Sequence, residues 1–375
     1  MKKKRRSQMH NPKVIISGGG TGGHVFPAIA IANALKKINP SVEILFVGAE
    51  GKMEMEKVPQ AGYTIVGLPI MGLHRRLTAQ NLKFPFKLLA SMLKARKVVK
   101  DFVPDVAVGV GGYASGPTLK AAMNRNIPCL IQEQNSFAGV TNKILGQKAK
   151  TICVAYDGMA AFFPKEKIIL TGNPVRQEVV KLEGKRERAM EFFGLDPEKK
   201  TVLVVGGSLG ARSINHAIEK MIDRFEKEGV QLIWQTGKLF AERAAKAVAG
   251  KEGAGIKTME FITKMDLGYA AADLVISRAG AIAVSELCLV KKPAILVPLP
   301  SAAEDHQTKN AMALVNHKAA ELVADGEINN ELESKVFRLI SNEEELGRLS
   351  FNIAKLGMNN SADIIANEVL KLVKK

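Results

Sequence analysis

An α/β protein of two parallel-sheet halves is what the sequence predicts, on three observations. Short runs rich in Val and Ile alternate with longer helical patterns, the alternation restarts midway at Thr201–Val205, and a glycine-rich loop follows the first strand of each series. Alternation of this kind marks βαβ units, whose crossover helices cover both faces of a parallel sheet. The two loops lie about half the chain apart, so two Rossmann-like halves account for 375 residues better than one sheet of about a dozen strands.

In chain order, a strand at Val14–Ile16 runs into glycines, a helix follows from about Pro27 to Lys37, and a second strand spans Glu43–Val47. A strand at Val106–Val108 leads to another glycine loop. The short strand Ile168–Leu170 then gives way to GNPVR and a charged helix, which places the boundary between Thr171 and Lys185. The predicted organisation is a basic tail at 1–12, a first domain at 13–172 and a second at 173–358. In the second half, Thr201–Val205 leads to a helix containing Asn215 and Ile218. The strand Leu274–Ser277 is followed by a helix opened by Arg278-Ala279-Gly280-Ala281, then by the strand Ala294–Val297 and a polar strand-end loop at Glu304–Asn310. The last segment, 359–375, holds a helix from about Ser361 that can pack on either half, including back onto the first.

Composition narrows the function classes. The formal net charge of +17 calls for an anionic partner: nucleic acid, an acidic lipid surface or a phosphorylated substrate. With 5% aromatic residues and no zinc-finger or aromatic RNA-binding strand motif, nucleic acid is disfavoured. Three widely spaced cysteines, Cys129, Cys153 and Cys288, indicate neither a disulfide framework nor a zinc cluster. No stretch approaches the ~18 apolar residues of a spanning helix, so membrane contact is expected to be peripheral.

The first loop, Gly18-Gly19-Gly20-Thr21-Gly22-Gly23-His24, follows a strand and precedes a helix opened by Pro27. Such a loop brings backbone N–H groups to phosphate oxygens at the positive end of a helix. It also satisfies GxGxxG, but a nicotinamide-dependent oxidoreductase wants an acidic residue ending the second strand, and that strand ends Phe46-Val47-Gly48, with Glu50 beyond. The second loop, Gly109–Gly116, could form the other wall of a diphosphate site, or its glycines could simply allow a tight turn. The third, Gly206-Gly207-Ser208-Leu209-Gly210, matches the GxSxG nucleophile elbow of serine hydrolases, with Asp266 or Asp273 and then His306 or His317 as partners in the right order. Against a hydrolase, this loop opens the second half as the first loop opens the first.

Two side chains stand out chemically. His24 adjoins a helix N-terminus, where the positive end favours a neutral ring able to take a proton from a hydroxyl; capping or packing under the loop is the structural alternative. Glu286 sits in the small, apolar stretch AIAVSELCLV, and burial there demands a partner, either a ribose diol or Lys291 or Lys292. No DxD or HExxH occurs, so metal-dependent sugar transfer is disfavoured and leaving-group charge falls to helix N-termini and basic side chains. Between Leu73 and Lys100, Leu77, Leu82, Phe84 and Phe86 are interleaved with Arg75, Arg76, Lys83 and Lys87, a mixture that as far as Phe86 suits an anionic membrane surface, whereas the remainder to Lys100 reads as a helix covering the sheet with a solvated Lys/Arg face.

Taken in order, GGGTGGHVFPAIAIANAL, GVGGYASGP, EQNSFAGVTNK, GNPVR, GGSLGAR and SRAGAIAVSE followed by DHQTKNA resemble the MurG family over nearly the whole chain. The resemblance implies a GT-B fold, two Rossmann-like domains facing across a cleft, the donor on the C-terminal one and a lipid acceptor on the N-terminal one. It implies an inverting, metal-independent N-acetylglucosaminyltransferase acting in peptidoglycan synthesis, without cofactor, with His24 as base. Around the donor it implies Thr21, Gly22, Gly23, Asn135, Arg176, Ser208, Ile262, Ala281, Ile282, Glu286 and Gln307. Around the acceptor diphosphate it implies Gly19, Gly20, Gly111, Gly112 and Tyr113. Some relatives carry Thr where Ala283 stands and Gln where His306 stands. The implied partners are UDP-N-acetylglucosamine, an undecaprenyl-diphosphate-linked muramyl-peptide and anionic inner-membrane lipids, with other cell-wall or division proteins allowed and nucleic acid not. The implied location is the cytoplasmic face of the bacterial inner membrane. A UDP-sugar epimerase of the same fold is the nearest alternative.

Overall fold

The computed structural model describes residues 11–71, 84–207 and 209–373. The chain divides into two compact units: the first comprises the residues up to Gln134, Ala138–Pro174 and those from Asn360 on; the second comprises Asn135–Phe137 and Val175–Asn359.

In the first unit, β1 (Lys13–Gly18), α1 (Gly22–Ile38), β2 (Glu43–Ala49), α2 (Glu54–Gln60), β3 (Thr64–Leu68), α3 (Phe84–Phe102), β4 (Val106–Gly111), α4 (Ser115–Met123), β5 (Cys129–Glu133), α5 (Val140–Gly146), β6 (Thr151–Val154) and β7 (Ile168–Leu170) alternate strictly until the last pair. The seven strands are ordered β3-β2-β1-β4-β5-β6-β7, and the pairs along the sheet are parallel. Successive side chains point to opposite faces of a strand. Val14 and Ile16 accordingly pack with Val25, Ile31 and Leu35 of α1, whereas Ile15 packs on the other face with Ala95, Val99 and Leu119. Both faces are covered, which explains why the strands read as unbroken apolar runs.

The second unit continues with α6 (Gln177–Val180), α7 (Arg186–Phe193), β8 (Thr201–Val205), α8 (Arg212–Lys227), β9 (Gln231–Gln235), α9 (Ala241–Ala247), β10 (Ile256–Met259), α10 (Met265–Ala271), β11 (Leu274–Ser277), α11 (Ala281–Val290), β12 (Ala294–Leu296), α12 (His306–Val315), β13 (Glu321–Leu322), α13 (Ile328–Ile340) and α14 (Glu343–Ala354). Its sheet, β10-β9-β8-β11-β12-β13, is again parallel. Trp234, Phe225, Ile214 and Ile276 lie at the centre of its main core. The final helix, α15 (Ser361–Leu372), belongs to the first unit, where Ile365, Ala366 and Val369 join the core beneath α1.

Both sheets reverse direction of winding beside their first strand, between β1 and β4 and between β8 and β11. In open α/β sheets the strand ends at such a point form the ligand crevice.

Two local expectations are corrected. The first helix begins at Gly22, not near Pro27, so Pro27 lies inside it and His24 in its first turn. Burial of Val25 and Pro27 against the sheet, with the amides of His24 and Val25 already bonded to Thr21 O, draws the glycine pair into the helix. The segment expected as a polar loop at Glu304–Asn310 is helical from His306 onward. Thr308 Oγ1 donates to Asp305 Oδ1 at 2.6 Å, tying the first turn together, and Ala311 and Leu314 bury its inner face.

Candidate functional site

At the winding reversal of the first unit, the two glycine loops touch. Gly19 N donates to Gly111 O at 3.3 Å. A Cβ on Gly112, whose φ is +86°, would fall on Gly19 O, and one on Gly111 would come within 2.7 Å of His24 Cε1. Loop-on-loop packing therefore requires these glycines, whatever ligand they also meet. Gly20, at φ +89°, has nothing near its Cβ position, and Gly23 meets only Thr21 Oγ1 at 3.6 Å. Thr21, Gly23 and Tyr113 are exposed, while Gly22, His24 and Gly112 are half-buried.

A residue the sequence reading missed holds the first loop in place. Glu54, fully buried at the start of α2, accepts from Gly20 N and Ala49 N, both at 2.9 Å. A Cβ on Gly19 would collide with its carboxylate. Of the acidic groups that follow β2, Glu50 pairs with Lys94 Nζ at 2.8 Å and Glu54 is committed to two backbone amides. The dinucleotide reading loses its acidic partner accordingly.

His24 Nδ1 lies 3.0 Å from Gln134 Oε1. Gln134 Nε2 donates to Val110 O at 2.8 Å and to Gln132 Oε1, Gln132 Nε2 donates to Asn173 Oδ1 at 3.1 Å, and Asn173 Nδ2 donates to Gln134 O at 3.0 Å. Gln132, Gln134 and Asn173 are all buried. Alternation along β5 offered the only local hint, since Gln132 and Gln134 continue the face of Leu130, on which α1 packs.

In the second unit, α11 starts immediately beyond β11, with Gly280 as its extended N-cap and Ala281 and Ile282 in its first turn. Glu286 lies one turn further on, 7% exposed. Its Oε2 accepts from Tyr269 Oη at 3.0 Å, and Arg176 Nη2 is 3.7 Å from Oε1. Burial pushes the Glu286 carboxyl above its ordinary range, against the opposing pull of Arg176 and Tyr269. Burial, reinforced by the neighbouring carboxylate, likewise pushes the Tyr269 phenol well up. The expected lysine partners are not used: Lys292 Nζ donates to Ala272 O at 2.7 Å. Arg176 and Glu286, 110 positions apart in sequence, thus meet; Tyr269 carried no local signal.

In the second unit, Ile262, Gln307 and Asn135 of the expected donor residues are held by local hydrogen bonds. Ile262 N donates to Gln235 Oε1 at 3.3 Å beyond β10, and Gln307 Oε1 accepts from Leu299 N at 2.9 Å. Asn310 joins Asn135 to α12, donating to Asn135 Oδ1 at 3.2 Å and accepting from Ser136 N at 3.0 Å. Arg278 is absorbed structurally, by Ser213, Asp325 and the carbonyls of Val297 and Pro298. Ser208, like Leu77 and Leu82, lies outside the described residues. A hydrolase triad finds no support in its acids: Asp273 binds Thr201 N at the opposite end of β8 from the GGSLG loop, and Asp266 is paired with Lys185 at 2.6 Å. Among the described residues no cluster of three or more His, Cys, Asp or Glu could hold a metal ion.

The glycosyltransferase family 28 N-terminal domain matches residues 14–154, and the family's C-terminal domain matches residues 201–365. The UDP-N-acetylglucosamine–N-acetylmuramyl-(pentapeptide) pyrophosphoryl-undecaprenol N-acetylglucosamine transferase of Parabacteroides distasonis is 55% identical over 98% of this chain and 100% of its own. The crystal structure of Acinetobacter baumannii MurG is similar with a TM-score of 0.77 and 28% identity, over 96% of this chain and 99% of that one. A UDP-N-acetylglucosamine 2-epimerase from Neisseria meningitidis, at 16% identity and a TM-score of 0.66 over 96% of this chain and 100% of that one, shares the fold alone. With two GT-B-type Rossmann units matched in order and relatives aligned end to end, the chain belongs to glycosyltransferase family 28, in its MurG branch.

Proposed function

We propose that this enzyme transfers N-acetylglucosamine from UDP-N-acetylglucosamine to the 4-hydroxyl of a lipid-linked N-acetylmuramyl-pentapeptide, forming the disaccharide precursor of peptidoglycan. The observation that carries the reading is the end-to-end similarity to transferases of that name, the first at 55% identity. In this reading the reaction is a single displacement with inversion. His24 removes the proton from the attacking hydroxyl, the hydroxyl oxygen bonds to the anomeric carbon, and the bond to UDP breaks.

Donor binding is assigned to the second unit. Glu286 grips the ribose hydroxyls, the backbone at Ile262 meets the base, and Arg176 with the first turn of α11 at Ala281 and Ile282 faces the diphosphate, where helix amides and a guanidinium offset the charge on departing UDP. Gln307, Ser208 and Asn135 complete the donor contacts, and Thr21, Gly22 and Gly23 approach the sugar. The acceptor diphosphate is assigned to the amides of Gly19, Gly20, Gly111 and Gly112, with Tyr113 beside them.

We place the enzyme at the cytoplasmic face of the inner membrane, on anionic lipid. Among the described residues no helix is long and apolar enough to cross a membrane. On α3, Phe86, Leu89 and Leu93 are 76%, 60% and 56% exposed at helical spacing, flanked by exposed Lys87, Lys94 and Lys97. Such a stripe suits the headgroup boundary, and Phe84, half-buried, begins the helix.

The deciding assay is transfer of labelled N-acetylglucosamine to a lipid-linked muramyl acceptor, with UDP release followed without added metal. Isomerisation of the UDP-sugar in the absence of acceptor, with no transfer in its presence, would replace this reading with the epimerase.

A further inference from the structure

The amide chain beside His24 runs in one direction only. Both of its backbone anchors are carbonyl oxygens, which can only accept, so each anchor fixes which end of a side-chain amide faces it. Asn173 points its NH2 at Gln134 O at 3.0 Å, which turns Asn173 Oδ1 toward Gln132. Gln132 must then donate through Nε2 to that oxygen at 3.1 Å and present its own Oε1 to Gln134. Gln134 Nε2 is claimed by Gln132 Oε1 and by Val110 O at 2.8 Å, so only Gln134 Oε1 remains for the imidazole, 3.0 Å from Nδ1. Reversing any one amide would set two acceptors against each other in a buried site, at a cost well above that of a single lost hydrogen bond.

We infer that Gln134, oriented by Gln132, Asn173 and Val110, is the positioning residue that holds the neutral His24 ring in its Nδ1–H tautomer, so that Nε2 carries the lone pair. The inference rests on the reading of His24 as base and gives that reading a direction: the acceptor hydroxyl must approach Nε2. In a neutral imidazole the partner of one nitrogen decides which nitrogen bears the proton. A ring in the other tautomer would turn an N–H toward the hydroxyl and could not accept its proton. The arrangement does for a sugar acceptor what a carboxylate does for a catalytic histidine elsewhere, but through a neutral amide at Nδ1, which adds no negative charge of its own to favour imidazolium.

The test is nitrogen-15 NMR of the six-histidine chain labelled at the imidazole nitrogens, with the His24 signal assigned by its loss in His24→Gln. At a pH where the ring is neutral, the expected spectrum shows His24 Nδ1 protonated and Nε2 unprotonated. Gln134→Met, which removes the acceptor with little change of volume, should shift the signal toward the Nε2–H form and lower kcat about 100-fold at unchanged donor KM. If Gln134→Met does not fold, the tautomer read in the parent protein alone provides the measurement. An Nε2–H ring in the parent protein, or the same tautomer in Gln134→Met, overturns the inference. Full turnover in His24→Ala would instead remove the base assignment while leaving the tautomer result standing, so the two failures are distinguishable.

Discussion

The two units share a strand order and place their candidate residues at the same topological point, yet they organise those residues by different physics. In the first unit the site is backbone and neutral amide: glycine loops in contact, a carboxylate spent on loop amides, and a chain of side-chain amides ending on His24. In the second it is a buried charge: Glu286 held between a phenol and a guanidinium, its carboxyl raised by burial. The difference teaches that the fold supplies a location and the residues set the task. In the proposed roles, a proton-accepting centre is oriented by neutral groups, whereas a diol-gripping centre can hold a carboxylate ready at a cost in desolvation.

The comparison breaks most readily at His24. His24→Ala should lower kcat by about 10²- to 10⁴-fold while calorimetric affinity for the UDP-sugar stays unchanged. A large loss of donor affinity would place His24 in the donor site and merge the roles that the two units divide.

The next largest effect concerns the loops. Gly112→Ala combines a left-handed backbone with a collision at Gly19 O and should destabilise the protein by about 3 kcal/mol in chemical denaturation. Gly20→Ala, at φ +89° in open space, should cost only about 1 kcal/mol. Equal losses would mean that the two loops do not rest on each other.

Glu286 sharpens the contrast through opposite effects on binding and stability. Glu286→Ala should weaken UDP binding by about 1 to 3 kcal/mol. Because burial raises its carboxyl above the ordinary range, the folded protein binds that proton more tightly than the unfolded chain does. The contribution is therefore intact below the ordinary carboxylate pKa and is lost as pH rises through that value toward the raised one. Free of donor, Glu286→Gln should gain melting temperature relative to the parent as pH climbs from about 4 to neutrality. Parallel melting curves across that range would show that the charge costs nothing.

The smallest effect is expected at the surface. Phe86→Ser with Leu89→Ser should weaken sedimentation with anionic vesicles by about 1 to 2 kcal/mol and leave transfer to a detergent-dispersed acceptor unaltered. Undiminished vesicle binding would move the membrane contact off α3.

Local pattern carried a great deal. Unbroken Val and Ile runs ending in glycine require parallel strands covered on both sides, and the strands at Ile168–Leu170, Thr201–Val205 and Leu274–Ser277 have the bounds their apolar runs define. His24 and Glu286 were legible because each is a polar group in a context, a helix start and an apolar run, that makes it conspicuous. Tertiary structure alone decided the start of α1, where core burial of Val25 and Pro27 overrides the loop propensity of two glycines, and the helical form of His306–Asn310. It alone brought Glu54 to Gly20, Tyr269 to Glu286, and Asn173 through Gln132 and Gln134 to His24. The reason is physical: periodicity and capping are written within a few residues, but a hydrogen bond between side chains 110 residues apart leaves no local trace until the sheet sets its strands side by side.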